Sequence, residues 1–143
     1  MSIWFDGELK LEKIQALGKN TMTEHLGLEW LEAGEDFISA RIPVDHRTQQ
    51  PYGYLHGGAS CVLAETLGSV GSAMVVDHDL YKCVGIEINA NHIRSAIKGY
   101  VTGKATPIHL GRSTHVWEIR IVDDENNLVC VSRITVGVIP RKV

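Results

Sequence analysis

The sequence predicts an α+β domain in which one long helix is buried against an antiparallel sheet of five or six strands. Three observations lead there. From about Gly58 to Val76 the residues are apolar or small on nearly every side, the mark of a helix enclosed by its neighbours. Four strand-like segments follow that run, and two shorter ones precede it.

Taken in order, "GELKLEKIQALGKN" places Leu9, Leu11, Ile14 and Leu17 near helical spacing and closes on Gly18, so it reads as a short amphipathic helix. "TMTEHLG" reads as a further turn of helix begun at Thr21. From Leu28, "LEWLEAGEDFISARIPV" reads as two strands about a turn at Ala33 to Glu35, and "DHRTQQPYGYLHGG" as a polar loop of turn formers. The central helix, about 19 residues, spans about 28 Å at 1.5 Å per residue. After it come "KCVGIEINANH", "IKGYVTGKATPIH", "STHVWEIRIVD" and "NLVCVSRITVGVI", the last two joined by the turn "DENN". In the first of these, simple alternation puts Val84, Ile86, Ile88 and Ala90 on one face. No internal repeat, low-complexity tract or linker interrupts the chain, and residues 1–143 are expected to form one domain.

Composition excludes several classes. A net charge of −3 with no Lys/Arg-rich block argues against nucleic-acid binding. Cys61, Cys83 and Cys130 are odd in number and lie in apolar segments, which suits reduced core residues of a cytoplasmic protein. "MSIWFDGELKLEKI" carries acids where an export signal would carry Lys or Arg, and no uncharged stretch is long enough to span a bilayer. HExxH, CxxC pairs, G-x-G-x-x-G and P-loop patterns are missing, so neither a metal nor a nucleotide cofactor is expected.

The residue that asks for an explanation is Glu65, a lone carboxylate in the apolar central helix. At the start of that helix, "LHGGAS" supplies two glycines whose exposed backbone N–H groups, backed by the positive end of the helix dipole, suit a developing oxyanion. Glu65 follows Gly57 by eight residues, about 12 Å along the axis, so the two cannot hold one reacting atom within a single chain. Antiparallel pairing of two copies about a two-fold axis would bring Gly57 of one beside Glu65 of the other, which predicts an obligate dimer with two composite sites. Ser69 lies one turn beyond Glu65, where it could bond a water, and Gln50 and His56 bring polar groups to the helix start. The same residues also fit a structural acid paired to an arginine, a small packing serine and glycines that merely allow close contact.

The ordered set "PVDHRTQQPYGYLHGGASCVLAETLGS", "VGIEINANHIRSA" and "TPIHLGRSTHVWEI" resembles the glutamate-type hot-dog-fold thioesterases of the 4-hydroxybenzoyl-CoA thioesterase clan, over about Leu9 to Ile139. The likeness is greatest to the subgroup of the 1,4-dihydroxy-2-naphthoyl-CoA thioesterase and the proofreading thioesterase of enterobactin synthesis. The resemblance implies hydrolysis of acyl-CoA or carrier-protein thioesters, aromatic ones first, with Glu65 as nucleophile or general base. It further implies that the Gly57 N–H polarises the carbonyl, that Gln50 and His56 orient the thioester, and that Ser69 helps hold the water. By the same resemblance, Gly85, His92, Ile93, Arg94 and Ser95 form one wall of the CoA site and His109, Leu110, Gly111, Arg112 and Ser113 the other. Arg94 and Arg112 are suited to phosphates, although either also reads as a solvated strand-end residue. A dimer of dimers is implied as the assembly. The N-terminal "MSIWFDGE" is longer than the usual start and is the segment expected at the acyl pocket. Two other activities fit the fold: a hydratase, which needs an Asp and His pair not seen flanking the central helix, and a non-catalytic acyl-CoA sensor, which normally carries a basic DNA-binding segment.

Overall fold

The computed structural model describes residues 1–142. Two short helices, α1 (Leu11–Leu17) and α2 (Met22–His25), precede strands β1 (Glu29–Ala33) and β2 (Ile38–Pro43); helix α3 (Gly57–Val75) follows, and then β3 (Tyr81–His92), β4 (Tyr100–Leu110), β5 (Thr114–Asp123) and β6 (Leu128–Pro140). The six strands make one antiparallel sheet in the order β1-β2-β4-β5-β6-β3. The sheet curls around α3, as the expected layout required.

What lets the sheet close on the helix is a row of small residues. At Gly68 an added Cβ would stand 2.3 Å from Ile134, and at Gly103 on β4 one would stand 2.7 Å from Leu67. Helix and strand backbones therefore approach more closely than side chains would permit. Between them Leu63, Leu67, Ile38, Ile42, Ile119 and Ile121 are wholly buried, each contributing roughly 1.5–3 kcal/mol by leaving water. At the far end of α3 the Trp117 indole N–H donates to Ser72 Oγ at 2.8 Å, so the largest core side chain leaves no orphan donor. α3 is long and apolar enough to cross a bilayer, but here Leu63, Ala64, Leu67 and Gly68 along it are buried within the protein.

Three details differ from the sequence expectation. The ladder between β3 and β6 carries a bulge between Gly85 and Glu87, so strict alternation fails: Cys83, Ile88 and Ala90 pack toward the core, while Val84 and Ile86 stand exposed on the opposite side. A bulge places two residues against one and reverses the facing of everything beyond it. In α1 and just before it, Ile14 is buried and Leu11 and Leu9 pack on the core, but Leu17 is 70% exposed. The N-terminal segment binds the far end of α3: the Phe5 N–H donates to the Met74 carbonyl at 2.9 Å, and Trp4 stacks on Trp117 with centroids 6.4 Å apart.

The cysteines are free thiols, with Cys130 buried and Cys61 and Cys83 half-buried. Burial raises the Cys83 pKa, and burial together with neighbouring Cys61 pushes Cys130 up to about 11.

Replacing Gly68 with alanine should cost about 1–3 kcal/mol by overpacking against Ile134. Urea unfolding checks this as a lower midpoint at unchanged slope; an unshifted midpoint would mean that the helix and sheet are not held at contact.

Candidate active site

The loop before α3 is built to hold its last residues still. Thr48 Oγ donates to the Pro43 carbonyl at 2.6 Å, and Asp45 receives the Arg47 guanidinium at 2.7 Å. That ion pair and hydrogen bond hold the Asp45 carboxyl down at about 2. The His56 N–H then donates to the Thr48 carbonyl and the Leu55 N–H to the Ala96 carbonyl, each at 2.8 Å, which ties the loop to the start of the helix and to the segment after β3.

At the helix start, His56 Nδ1 accepts the Gly58 N–H at 2.8 Å, so this exposed imidazole caps α3. The neighbouring Gly57 N–H has no acceptor among the described residues. A donor left over at a helix N-terminus, with the dipole behind it, is suited to an oxyanion. Gln50 donates its backbone N–H to the Tyr54 carbonyl and accepts the Tyr52 N–H on its side-chain oxygen, which leaves its amide N–H₂ free. Across from these, the end of β3 brings His92, whose ring would lie 2.8 Å from a Cβ at residue 57. Gln50, Gly57, His92, Ile93, Arg94 and Ser95 line one cavity of about 300 Å³.

Glu65 is elsewhere. Its carboxylate lies against β3 at Gly85, where an added Cβ would stand 2.2 Å from Oε1. The β3 bulge is what turns Gly85, rather than Ile86, toward the helix. Glu65 is half-buried and forms no ion pair among the described residues, so the alternative of an acid held by an arginine finds no arginine. The cavity beside it, about 430 Å³, is separate from the one at Gly57 and is lined by Thr21, Met22, Thr23, Cys61, Val62 and Ile88 among others. Sequence reasoning missed Met22 and its neighbours because α2 reads only as a turn of helix; its place across the cavity from α3 is set by the chain's return. The segment at this cavity is α2, and the N-terminal residues 1–8 expected there lie at the other end of α3. Ser69 is half-buried one turn beyond Glu65, outside the lining of that cavity.

The second group of expected binding residues lies at the C-terminal end of α3. Leu110, Gly111 and Arg112 line a cavity of about 500 Å³ with Val75, Tyr81 and His115. His109 packs its ring beside Gly111, and the Ser113 carbonyl accepts the Val138 N–H. With about 28 Å of helix between the two ends, the two expected walls do not face each other within one chain. His115, which with His109 has a spacing typical of no common metal site, is 2% exposed, and its Nδ1 is unpartnered among the described residues. Burial lowers its pKa, opposed by a Gly111 backbone contact and reinforced by nearby His109. No group of three or more metal-ligating side chains is present among the described residues.

Comparison with known proteins gives these features a context. The thioesterase superfamily profile matches residues 52–130. The Escherichia coli 1,4-dihydroxy-2-naphthoyl-CoA hydrolase is 45% identical over 132 residues, covering 92% of this chain and 96% of that protein. A Pseudomonas aeruginosa thioesterase, solved as a glutamine-to-alanine mutant, superposes with a TM-score of 0.96 at 46% identity, covering 98% of this chain and 100% of that one. A Staphylococcus aureus thioesterase, at 42% identity and a TM-score of 0.81 over 83% of this chain and 98% of its own, was also solved with a glutamine changed to alanine. The same protein was solved separately with alanine in place of a glutamate fifteen residues further along, the separation between Gln50 and Glu65 here. This chain belongs to the thioesterase superfamily and has its hot-dog fold. It is a thioester hydrolase.

Gly85→Ala should push the Glu65 carboxylate aside by an ångström or more and lower turnover by about a hundredfold. Thiol release and thermal melting, measured on the same preparation, check this: activity should fall while the melting temperature stays within a few degrees of the parent. Full activity would show that the Glu65 position is not critical.

Proposed function

We propose that this protein hydrolyses acyl-CoA thioesters, preferring aromatic acyl groups of the hydroxybenzoyl or dihydroxynaphthoyl kind, in sites shared between two copies of the chain. The observation that carries the reading is the pairing of two unsatisfied groups, the Gly57 N–H and the Glu65 carboxylate, about 12 Å apart along one helix. Neither completes a site alone. Set beside Gly57 of the partner subunit, Glu65 has a carbonyl-polarising donor facing it.

The chemistry follows from those two groups. Glu65 either attacks the thioester carbonyl carbon directly or takes a proton from a water that attacks it. In both cases the carbonyl oxygen gains negative charge, which the Gly57 N–H and helix dipole stabilise, and the carbon–sulfur bond breaks as the oxyanion collapses. Direct attack leaves an anhydride that water opens, so both routes end in free acid and thiol. The free amide of Gln50 and the imidazole of His56 stand at the same helix start and are assigned to orienting the thioester, with Ser69 holding water. Arg94, at the mouth of the Gly57 cavity, and Arg112, at the far cavity, are assigned to the CoA phosphates, with Gly85, His92, Ile93, Ser95, His109, Leu110, Gly111 and Ser113 along the CoA path.

The aromatic preference draws on the name of the Escherichia coli hydrolase, and the glutamine and glutamate roles on the altered positions in the Staphylococcus aureus thioesterase. A two-fold assembly is supported by β3, an edge strand whose outer hydrogen-bonding side is open and which exposes Val84 and Ile86. Open edges of this kind are normally covered. A dimer of such dimers is the assembly we assign.

Glu65→Gln should lower kcat by about two to four orders of magnitude, the range for a positioned base. Gln50→Ala should lower activity as well. Because the two residues serve one site from different chains, co-expression of the two variants should restore one intact site in each mixed dimer, read as thiol release well above either variant alone. A mixture no more active than its parts would show that each site lies within one chain.

Arg94→Ala should raise KM for a CoA thioester while leaving an N-acetylcysteamine thioester, which lacks the nucleotide, nearly unchanged. Equal effects on both would remove Arg94 from the phosphate site.

A further inference from the structure

We infer that α2 is the wall against which the acyl group packs, that Met22 sets the size of acyl group accepted, and that the cavity selects acyl groups carrying no charge. This rests on the reading that Glu65 acts on the thioester.

The geometry leaves little choice about where the acyl group goes. Glu65 opens onto the cavity of about 430 Å³, within the range of small-molecule sites, roughly 300–1,000 Å³. With the CoA assigned to the Gly57 side of the shared site, the acyl substituent of a carbonyl beside that carboxylate is left to the residues sharing this space: Cys61, Val62 and Thr66 on α3, Ile88 on β3, and Thr21, Met22 and Thr23 opposite. α3 and β3 are fixed by the core, since Leu63, Ala64 and Leu67 are wholly buried beside the lining residues of the helix and Ile88 packs on the core cluster. α2 is not fixed in this way. It has four residues, none of them buried, and its N-cap Thr21 makes no side-chain cap bond, because the hydroxyl donates instead to the Gly18 carbonyl at 2.6 Å.

On that unburied wall the side chain most able to change the shape of the cavity is Met22. It is 62% exposed although it lines the cavity, so little else holds its rotamer. An unbranched thioether with three rotatable bonds adapts to irregular or flat groups and makes favourable sulfur contacts with aromatic rings.

Charge decides the class. Among the described residues no Lys, Arg or His lines this cavity, and its one carboxylate is Glu65. An acyl group ending in a second carboxylate would enter an apolar space with a like charge beside it and no cation of the same chain lining that space. Aromatic and medium-chain aliphatic acyl groups meet no such penalty.

The test uses the purified full-length protein and three variants, Met22→Ala, Met22→Trp and Glu65→Gln, assayed by thiol release with benzoyl-, dihydroxynaphthoyl-, hexanoyl- and succinyl-CoA. Removing the thioether should raise the kcat/KM ratio of the naphthoyl over the benzoyl ester by about tenfold, the scale of a side-chain change in an apolar pocket. The tryptophan should move the ratio the other way. Succinyl-CoA should turn over at least tenfold more slowly than hexanoyl-CoA in every active form. If both Met22 variants keep the parental ratio while Glu65→Gln is inactive, the role of α2 is overturned and the hydrolytic reading stands. If succinyl-CoA is hydrolysed as fast as hexanoyl-CoA, the charge selection is overturned. If no form shows hydrolysis that depends on Glu65, both readings fall together.

Discussion

The contact between α3 and the sheet wrapped around it governs the rest of this structure. Gly68 beneath Ile134 and Gly103 beneath Leu67 bring the backbones to a separation that no side chain at those positions would allow. Close approach allows the six-stranded sheet to curl around a 19-residue helix, and it fixes that helix in rotation as well as in depth. Trp117 sets the same rotation from the other end through its bond to Ser72. A helix locked in this way presents a defined stripe of half-buried residues, Cys61, Val62, Glu65, Thr66, Ser69 and Val70, on the side the sheet leaves uncovered.

Function uses that uncovered side. A carboxylate at the centre of the stripe would ordinarily be neutralised by a neighbour, yet the space beside it is occupied by a glycine whose lack of a side chain admits the carboxylate to the strand. The arrangement depends on the β3 bulge, which costs one ladder position and in return turns Gly85 inward and Val84 and Ile86 outward. One irregularity thus serves both the seating of the acid and the apolar exterior of an edge strand. At the helix start the division is similar: His56 satisfies the Gly58 N–H and leaves that of Gly57, just before it, available.

Much of the fold was legible in the sequence. The long apolar run, the alternating segments after it and the turn residues "DENN" pointed to the right elements in the right order, and Asn126 takes the left-handed backbone that such a turn uses. The failures share a cause. Alternation puts Val84 and Ile86 on one face with Ile88 and Ala90 because it assumes an uninterrupted ladder, and a bulge is a property of how two strands register. Helical spacing groups Leu17 with Leu9, Leu11 and Ile14, while a seven-residue helix touches the core through only part of that face.

For the site, the sequence by itself determined the chemical groups: a lone acid in an apolar helix, glycines at the helix start, arginines in the two outer turns. It also determined that Gly57 and Glu65 could not meet in one chain, because helix rise is fixed by backbone geometry whatever surrounds it. Only the tertiary structure decided what each group faces. It set Glu65 against Gly85 and the α2 segment, set His92 over Gly57, and carried Arg94 and Arg112 to opposite ends of α3. Those neighbours come from segments twenty to fifty residues apart, and local spacing holds no information about which of them the folded sheet brings together.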